Sequence, residues 1–344
     1  MKALGFIRPL EVGELQRELR QLELPVPEPN EKQLLVRVRA SCVNIDDIHA
    51  AEGTFFGGIF PSRASAEEPF VPGVDVAGTV VKAGACVEGF KEGDAVLGFL
   101  MPKAGRGSWA EYCCLEARYA VHKPRGYSFE EAAACAIGGK TAANAVLSAR
   151  LAPGQRGVVV GASGGIGSII VQILHRMGVQ VTGVCSTSNL ELVRGLGADQ
   201  LVDYTRGSFD EQLQGESFDA VIDCVGGRDT EARGLSVLKK TGRFVTLCGP
   251  EQYIGEKRTG MPGVMRMLVY VAWRALTSLV AGPRYCMAGI GMSLDPLREL
   301  VLDNELRPPI DRCLDLEADA VKEGIAYIAT HRAKGKVVIA VGAE

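Results

Sequence analysis

At 344 residues, with 47% hydrophobic and 23% charged side chains, the chain has the length of two domains and the balance of an ordinary globular enzyme. Its formal charge of -3 argues against nucleic acid or an anionic membrane surface as the main partner. The ten cysteines include no C-x-x-C pair, and several sit in apolar runs such as Val221-Ile222-Asp223-Cys224. Reduced core thiols in a reducing compartment are the expectation. The opening Met1-Lys2-Ala3-Leu4-Gly5-Phe6 has neither the apolar run of a signal peptide nor the Arg/Ser-rich character of a transit peptide. The expected location is therefore cytoplasmic, or mitochondrial if a presequence has been removed.

After the breaker Pro25-Val26-Pro27-Glu28-Pro29, residues 33–40 alternate in polarity, which predicts a strand with one wet face. Residues 44–60 read as a polar-to-aromatic loop. Turn–strand units follow at 72–81, 90–99 and 109–115, so the first 125 residues predict a compact β-barrel-like domain. The rhythm changes after Pro124. Ser128-Phe129-Glu130-Glu131 is a capping box that opens an alanine-rich helix to 134, and a second helix is expected over 141–150. Strands at 179–185, 200–203, 218–224 and 243–248 then alternate with helices at 190–196, 209–213 and 230–238. That alternation predicts a doubly wound parallel sheet.

Residues 264–280 are strongly apolar but carry Arg266 and Arg274, too short and too charged a stretch to span a bilayer. An amphipathic helix is expected there, over the active site, at a subunit contact or as a peripheral membrane anchor. Residues 285–292 read as a last strand that pairs across a homodimer. A helix begins at 297, another covers 318–328, and the strand at 336–341 returns the chain to its first domain. The expected division is 1–125, 126–292 and 293–344.

The stretch Val158-Val159-Val160-Gly161-Ala162-Ser163-Gly164-Gly165-Ile166-Gly167-Ser168 is the strongest single signal. Three β-branched residues suit a strand buried on both faces. The glycines let the backbone turn sharply beside a ligand, and the helix expected over 169–177 would aim free N–H groups and its positive end at a pyrophosphate. With strand before and helix after, the pattern predicts a dinucleotide site.

Asn44, Pro72-Gly73-x-Asp75-x-Ala77-Gly78, Gly93-Asp94, Gly161-x-x-Gly164-x-x-Gly167 and Gly335-Lys336-Val337-Val338 come in the order seen in medium-chain dehydrogenase/reductases, which the chain resembles along essentially its whole length. Within them it is similar to the zinc-free quinone oxidoreductase branch. The runs Leu196-Gly197-Ala198-Asp199, Val202-Asp203-Tyr204, Asp223-x-Val225-Gly226-Gly227 and Arg307-Pro308-x-Ile310 resemble most the reticulon-interacting mitochondrial subgroup. The resemblance implies an α/β fold with a Rossmann doubly wound parallel sheet and a GroES-like β-barrel domain. Zinc alcohol dehydrogenases of the superfamily place a cysteine three residues before an aspartate and a His-Glu pair after a Pro-Gly turn. Here Asn44 precedes Asp47 at that spacing, and Val74-Asp75 follows Pro72-Gly73. Carboxamide and isopropyl groups do not replace thiolate and imidazole, and the adjacent Cys113 and Cys114 cannot wrap a tetrahedron, so no metal is expected. Cys42 reads as a core thiol.

The resemblance further implies that Ser163, Gly164, Gly165, Ile166, Cys248 and Gly249 line the cofactor. Cofactor choice belongs at Cys185-Ser186-Thr187-Ser188-Asn189, where an NAD site usually has an acid to grip the ribose 2′-hydroxyl. Ser186 is neutral, and Tyr204 stands where the resemblance implies an aromatic hydroxyl, so NADPH is expected over NADH. Asn189 departs from the lysine common among relatives, and the Ser/Thr run also suits a cap for the helix near 190. Asn44 and Thr141 match positions that contact nicotinamide and substrate, Thr141 either holding the carboxamide or capping a helix start. Lys140 beside it either steadies negative charge or is a solvated lysine at a helix end. His49 reads as a loop residue rather than a catalytic acid. Phe55, Phe56 and Phe60 offer aromatic walls for a flat quinone, and the phenylalanine where enoyl-thioester reductases carry a tyrosine counts against that reading. The function expected is hydride transfer from NADPH to a quinone or an α,β-unsaturated carbonyl. The alternatives are an enoyl-thioester reductase and an NADPH-binding sensor or adaptor with little turnover.

Overall fold

The computed structural model describes residues 1–54, 64–101, 106–250, 260–288, 291 and 293–342. Internal contacts divide the chain into one unit of Met1–Ile137, Gly255–Val264 and Ile310–Glu344 and another of Gly138–Ile254 and Met265–Pro309.

The first unit opens with β1 (Lys2–Gly5), α1 (Leu15–Glu18) and β2 (Arg20–Glu23), the two strands pairing antiparallel. It continues through β3 (Gln33–Val43), α2 (Ile45–Glu52), β4 (Asp75–Ala83), β5 (Ala95–Phe99), β6 (Tyr112–Glu116), β7 (Ala120–His122) and α3 (Phe129–Ala149), which runs on past the unit's border. The second unit takes β8 (Arg156–Val160), α4 (Gly167–Arg176), β9 (Gln180–Cys185), α5 (Leu190–Gly195), β10 (Gln200–Asp203) and α6 (Phe209–Gln212). It continues with β11 (Phe218–Asp223), α7 (Arg228–Ser236), β12 (Leu238–Thr246), α8 (Met261–Thr277), whose first turn counts with the first unit, β13 (Arg284–Met287) and α9 (Asp295–Leu297). Finally β14 (Ile310–Asp315), α10 (Ala318–Ala329) and β15 (Lys336–Ala340) return to the first unit.

In the first unit the sheet order is β14-β15-β3-β4-β5-β7, with β6 also on β3. Strand β15 lies antiparallel to β3 with Val337 opposite Val43, so Lys336 comes level with Asn44 at the strand's end. Strand β4 lies on the other side of β3 and begins at Asp75. Three chain-distant polar residues are thus delivered to one end of three adjacent strands.

In the second unit six strands, all parallel, run in the order β10-β9-β8-β11-β12-β13. Chain order reverses at β8, and in such sheets the crevice outside the strands' C-terminal ends takes the ligand. Val158, Val184, Phe218, Val221 and Phe244 pack among the core residues of this unit and hold the strand ends in register.

Several expectations change. Residues 44–60 are not simply a loop, because α2 occupies Ile45–Glu52. The Asp47 carboxylate accepts the Asn44 N–H at 2.8 Å and so caps the helix start, while Gly53 closes the helix in the left-handed region at φ 65°. His49 accordingly is a buried helical residue rather than a loop residue. The capping box at Ser128 and Glu131 forms, but the two helices expected after it are one, α3. Gly138 and Gly139 lie buried within it, where close packing offsets the roughly 1 kcal/mol that a helical glycine costs. The strand expected at 285–292 is β13, which pairs parallel with β12.

Candidate active site

In the second unit the Gly-rich turn follows β8. Gly161 takes φ 80°, and a Cβ at Gly167 would stand 2.2 Å from the Gly161 carbonyl oxygen, so the helix start is packed against the strand end too closely for any side chain. The Gly164 N–H donates to Gly161 O at 3.1 Å, which closes the turn. The N–H groups of Gly165 and Ile166 meet no acceptor among the described residues. Unused donors at the start of a ten-residue helix fit a phosphate.

The neighbouring strand ends supply the rest. Asp203 is level with Cys185, so Ser186 and Tyr204 emerge side by side, Tyr204 well exposed. Asp203, which the sequence reading left without a role, turns inward. Its carboxylate accepts from Thr187 Oγ1 at 2.5 Å and from Thr205 Oγ1 at 2.6 Å, and these hydroxyls hold it below its usual range. Asp203 is therefore engaged by threonines, and the exposed Arg206 stands two residues beyond Tyr204. A rim of hydroxyls with a nearby guanidinium fits a 2′-phosphate better than a bare ribose. Asn189 is buried, and its Nδ2 donates to Ser163 Oγ at 3.0 Å, tying the rim to the Gly-rich turn. On the other side of β8, Thr246 Oγ1 donates to Asp223 Oδ2 at 3.0 Å and accepts the N–H groups of Cys248 and Gly249 at 3.3 and 2.9 Å. Cys248 and Gly249 are thereby fixed at the end of β12.

Two expected residues are placed differently. Thr141 is neither at a helix start nor a cap, because α3 runs unbroken through it. Lys140, at 3% exposure in the same helix, is buried rather than solvated at a helix end. Phe55, Phe56 and Phe60 lie outside the described residues.

In the first unit Asn44 stands between two charges. Its Nδ2 donates to Asp75 Oδ2 at 2.9 Å, and its Oδ1 accepts from Lys336 Nζ at 2.5 Å. Lys336 also reaches Asp75 Oδ2 at 3.0 Å, and Asp75 Oδ1 accepts the Ile137 N–H at 2.7 Å. Asp47 accepts the N–H groups of Gly73 and Val74 at 3.1 and 2.9 Å, and burial pushes its carboxyl up to about 7. A small pocket, with room for little more than a water molecule, opens here, lined by Asp47, Phe70, Val71, Pro72, Met101 and Arg106 among others. Cys42 is fully buried, and burial pushes its thiol up, as suits a core residue. Among the described residues no three His, Cys, Asp or Glu side chains gather as a metal site. Asp75 and Lys336 carried no chemistry in the sequence reading. The available signal was a lone charge inside each of two apolar strands.

A Gly-rich turn at the order-reversal point of a six-stranded parallel sheet, with N–H donors that meet no acceptor among the described residues and a hydroxyl rim, defines a dinucleotide-binding fold. Residues 30–125 match the alcohol dehydrogenase GroES-like domain, and residues 196–339 match the zinc-binding dehydrogenase family. The chain is 33% identical to the mitochondrial NAD(P)H oxidoreductase RTN4IP1 of Mus musculus, over 95% of this chain and 86% of that protein. It is 30% identical to the chloroplastic NADPH-dependent alkenal/one oxidoreductase of Arabidopsis thaliana, over 91% of this chain and 73% of that protein. The quinone oxidoreductase from Coxiella burnetii superposes with a TM-score of 0.80 at 25% identity, covering 99% of each chain. The chain belongs to the medium-chain dehydrogenase/reductase superfamily, in its quinone oxidoreductase branch.

Proposed function

We propose that this protein is a zinc-independent reductase that uses NADPH to deliver hydride to a quinone or an α,β-unsaturated carbonyl. The observation that carries the reading is Asn44, fixed by two charges where zinc-dependent relatives have a thiolate ligand, with one amide N–H left to give. The backbone of Ser163, Gly164, Gly165 and Ile166 would hold the pyrophosphate, Ser186 and Tyr204 the 2′-phosphate, and Cys248 and Gly249 the face nearer the nicotinamide. Thr141 and Lys140 are proposed as further contacts to cofactor or substrate from α3. Bound NADPH supplies the hydride. Asn44 would donate its free N–H to the acceptor oxygen, where negative charge grows as hydride arrives. Phe70, Val71 and Met101 give the small neighbouring pocket an apolar wall, and Phe55, Phe56 and Phe60 are proposed to extend it into a surface for a flat ring.

An acceptor panel of 1,4-benzoquinone, methyl vinyl ketone and crotonyl-CoA tests this with NADPH. Turnover of the first two is expected. Turnover of crotonyl-CoA alone would move the protein to the enoyl-thioester reductases, and tight NADPH binding without turnover would make it a sensor or adaptor. Asn44→Ala should lower kcat by about 10²-fold while leaving NADPH affinity within about twofold. An unchanged kcat would remove Asn44 from the mechanism.

The free thiols suit a reducing compartment, and a cytoplasmic location is part of the proposal. No helix among the described residues is long and apolar enough to cross a membrane. Helix α8 nevertheless exposes Met265, Leu268, Val269, Trp273 and Leu276, and no acid occurs from 260 to 284, which supports peripheral contact with an anionic lipid surface. Among the described residues strand β13 ends its sheet, and that edge supports a homodimer. Light scattering that gives a monomer would end the dimer proposal. Failure to sediment with phosphatidylglycerol-rich vesicles would end the lipid one.

A further inference from the structure

We propose that Lys336 and Asp75 are positioning residues for Asn44, locking its carboxamide in one orientation so that a single N–H faces the acceptor. This rests on the reading in which Asn44 donates to that acceptor. The placement begins with register, since β15 sets Lys336 opposite Asn44 across β3 and β4 begins at Asp75. The three side chains then close a triangle. The ammonium touches the amide oxygen at 2.5 Å, the amide nitrogen touches Asp75 Oδ2 at 2.9 Å, and the ammonium touches the same carboxylate oxygen at 3.0 Å.

Turning the amide over would put its carbonyl against the carboxylate and its NH₂ against the ammonium. Both contacts would be repulsive, so only one orientation survives. One N–H is consumed by Asp75 and the other remains. Asp75 is itself held, because its second oxygen takes the Ile137 N–H at 2.7 Å and its backbone carbonyl accepts the Ser41 hydroxyl at 2.9 Å.

Stability alone accounts poorly for the pair. The side chains of Lys336 and Asp75 are 7% and 0% exposed, and at such depth the loss of hydration cancels most of the attraction between two charges. Apolar residues of similar volume would fill the same strand ends at little net cost. What they would not do is discriminate between the two ends of a carboxamide. Lys336 is also no proton source. Burial works against its charge, but the Asp75 carboxylate against it outweighs that and holds the amine above its ordinary value. Its contribution is a fixed charge, present throughout turnover.

The test uses the full chain with three variants: Lys336→Met, Lys336→Arg and the paired Lys336→Met/Asp75→Leu. Thermal midpoints, kcat and KM are measured with NADPH and whichever quinone or enone the wild type reduces. The Asn44 side-chain NH₂ resonances are followed separately by NMR, without cofactor or acceptor. Lys336→Met should lose about 10²-fold in kcat with little change in KM for NADPH, and arginine should restore part of it. The paired variant should regain the thermal midpoint but not kcat. The Asn44 NH₂ pair, well separated and slow to exchange in the wild type, should collapse toward free-amide positions in both methionine variants.

A paired variant with wild-type kcat and a wild-type Asn44 signal would overturn the proposal. A wild type that reduces no quinone or enone would overturn the functional reading instead, while the NMR comparison would still decide whether the lock exists. If the single variant fails to fold, the paired variant, which leaves no lone buried charge, carries both readouts.

Discussion

Gly167→Leu is expected to abolish measurable NADPH binding even at about a hundred times the wild-type Kd, and to lower the thermal midpoint. A Cβ at this position stands 2.2 Å from Gly161 O and 3.0 Å from Ala162 Cα, and both are backbone atoms that cannot swing aside. The helix start must therefore move away from the strand end. That carries the unused N–H groups of Gly165 and Ile166 out of line with whatever they were holding. Overpacking of this sort costs about 1–3 kcal/mol of stability on its own. Gly164→Ala is the informative control, because a Cβ there meets Gly161 O at 3.4 Å, an ordinary contact. Titration of both variants by NADPH fluorescence separates steric blockage from general loss of structure. Wild-type affinity in Gly167→Leu would mean that the cofactor sits elsewhere.

Ser186→Asp should reverse the cofactor preference, moving the NADPH-to-NADH ratio of kcat/KM by on the order of 10²-fold or more. Register puts Ser186 beside Tyr204 at the ends of β9 and β10. A carboxylate there would accept from a ribose 2′-hydroxyl and repel a 2′-phosphate. The existing acid, Asp203, cannot play that part while Thr187 and Thr205 occupy its oxygens. Steady-state kinetics with both coenzymes and one acceptor checks this. A ratio that does not move would show that the specificity determinant lies away from Ser186.

The second unit was legible because its signals are local. A buried Val-Val-Val strand, a glycine turn and an amphipathic helix lie next to one another in sequence, and each strand–helix pair repeats that rhythm. Helix α2 was hidden because Ile45-Asp46-Asp47 looks like a polar loop until Asp47 is seen capping it. The expected helices over 128–134 and 141–150 left a gap that holds Gly138 and Gly139, whereas both glycines are buried and helical and α3 runs whole through them. That single misreading displaced both Thr141 and Lys140. The Asn44–Asp75–Lys336 triangle could not be read locally. Its members come from positions 44, 75 and 336, and only the pairing of β15 with β3 brings the ends together. Asn44 was visible by its motif, but its neighbours' work was not.

The most direct test is the kcat/KM for NADPH and for NADH with 1,4-benzoquinone, measured on protein freed of metal by chelation and verified by elemental analysis. The account predicts turnover undiminished by chelation, with NADPH favoured. Activity that vanishes with the metal and returns with added zinc, or a preference for NADH, would contradict it.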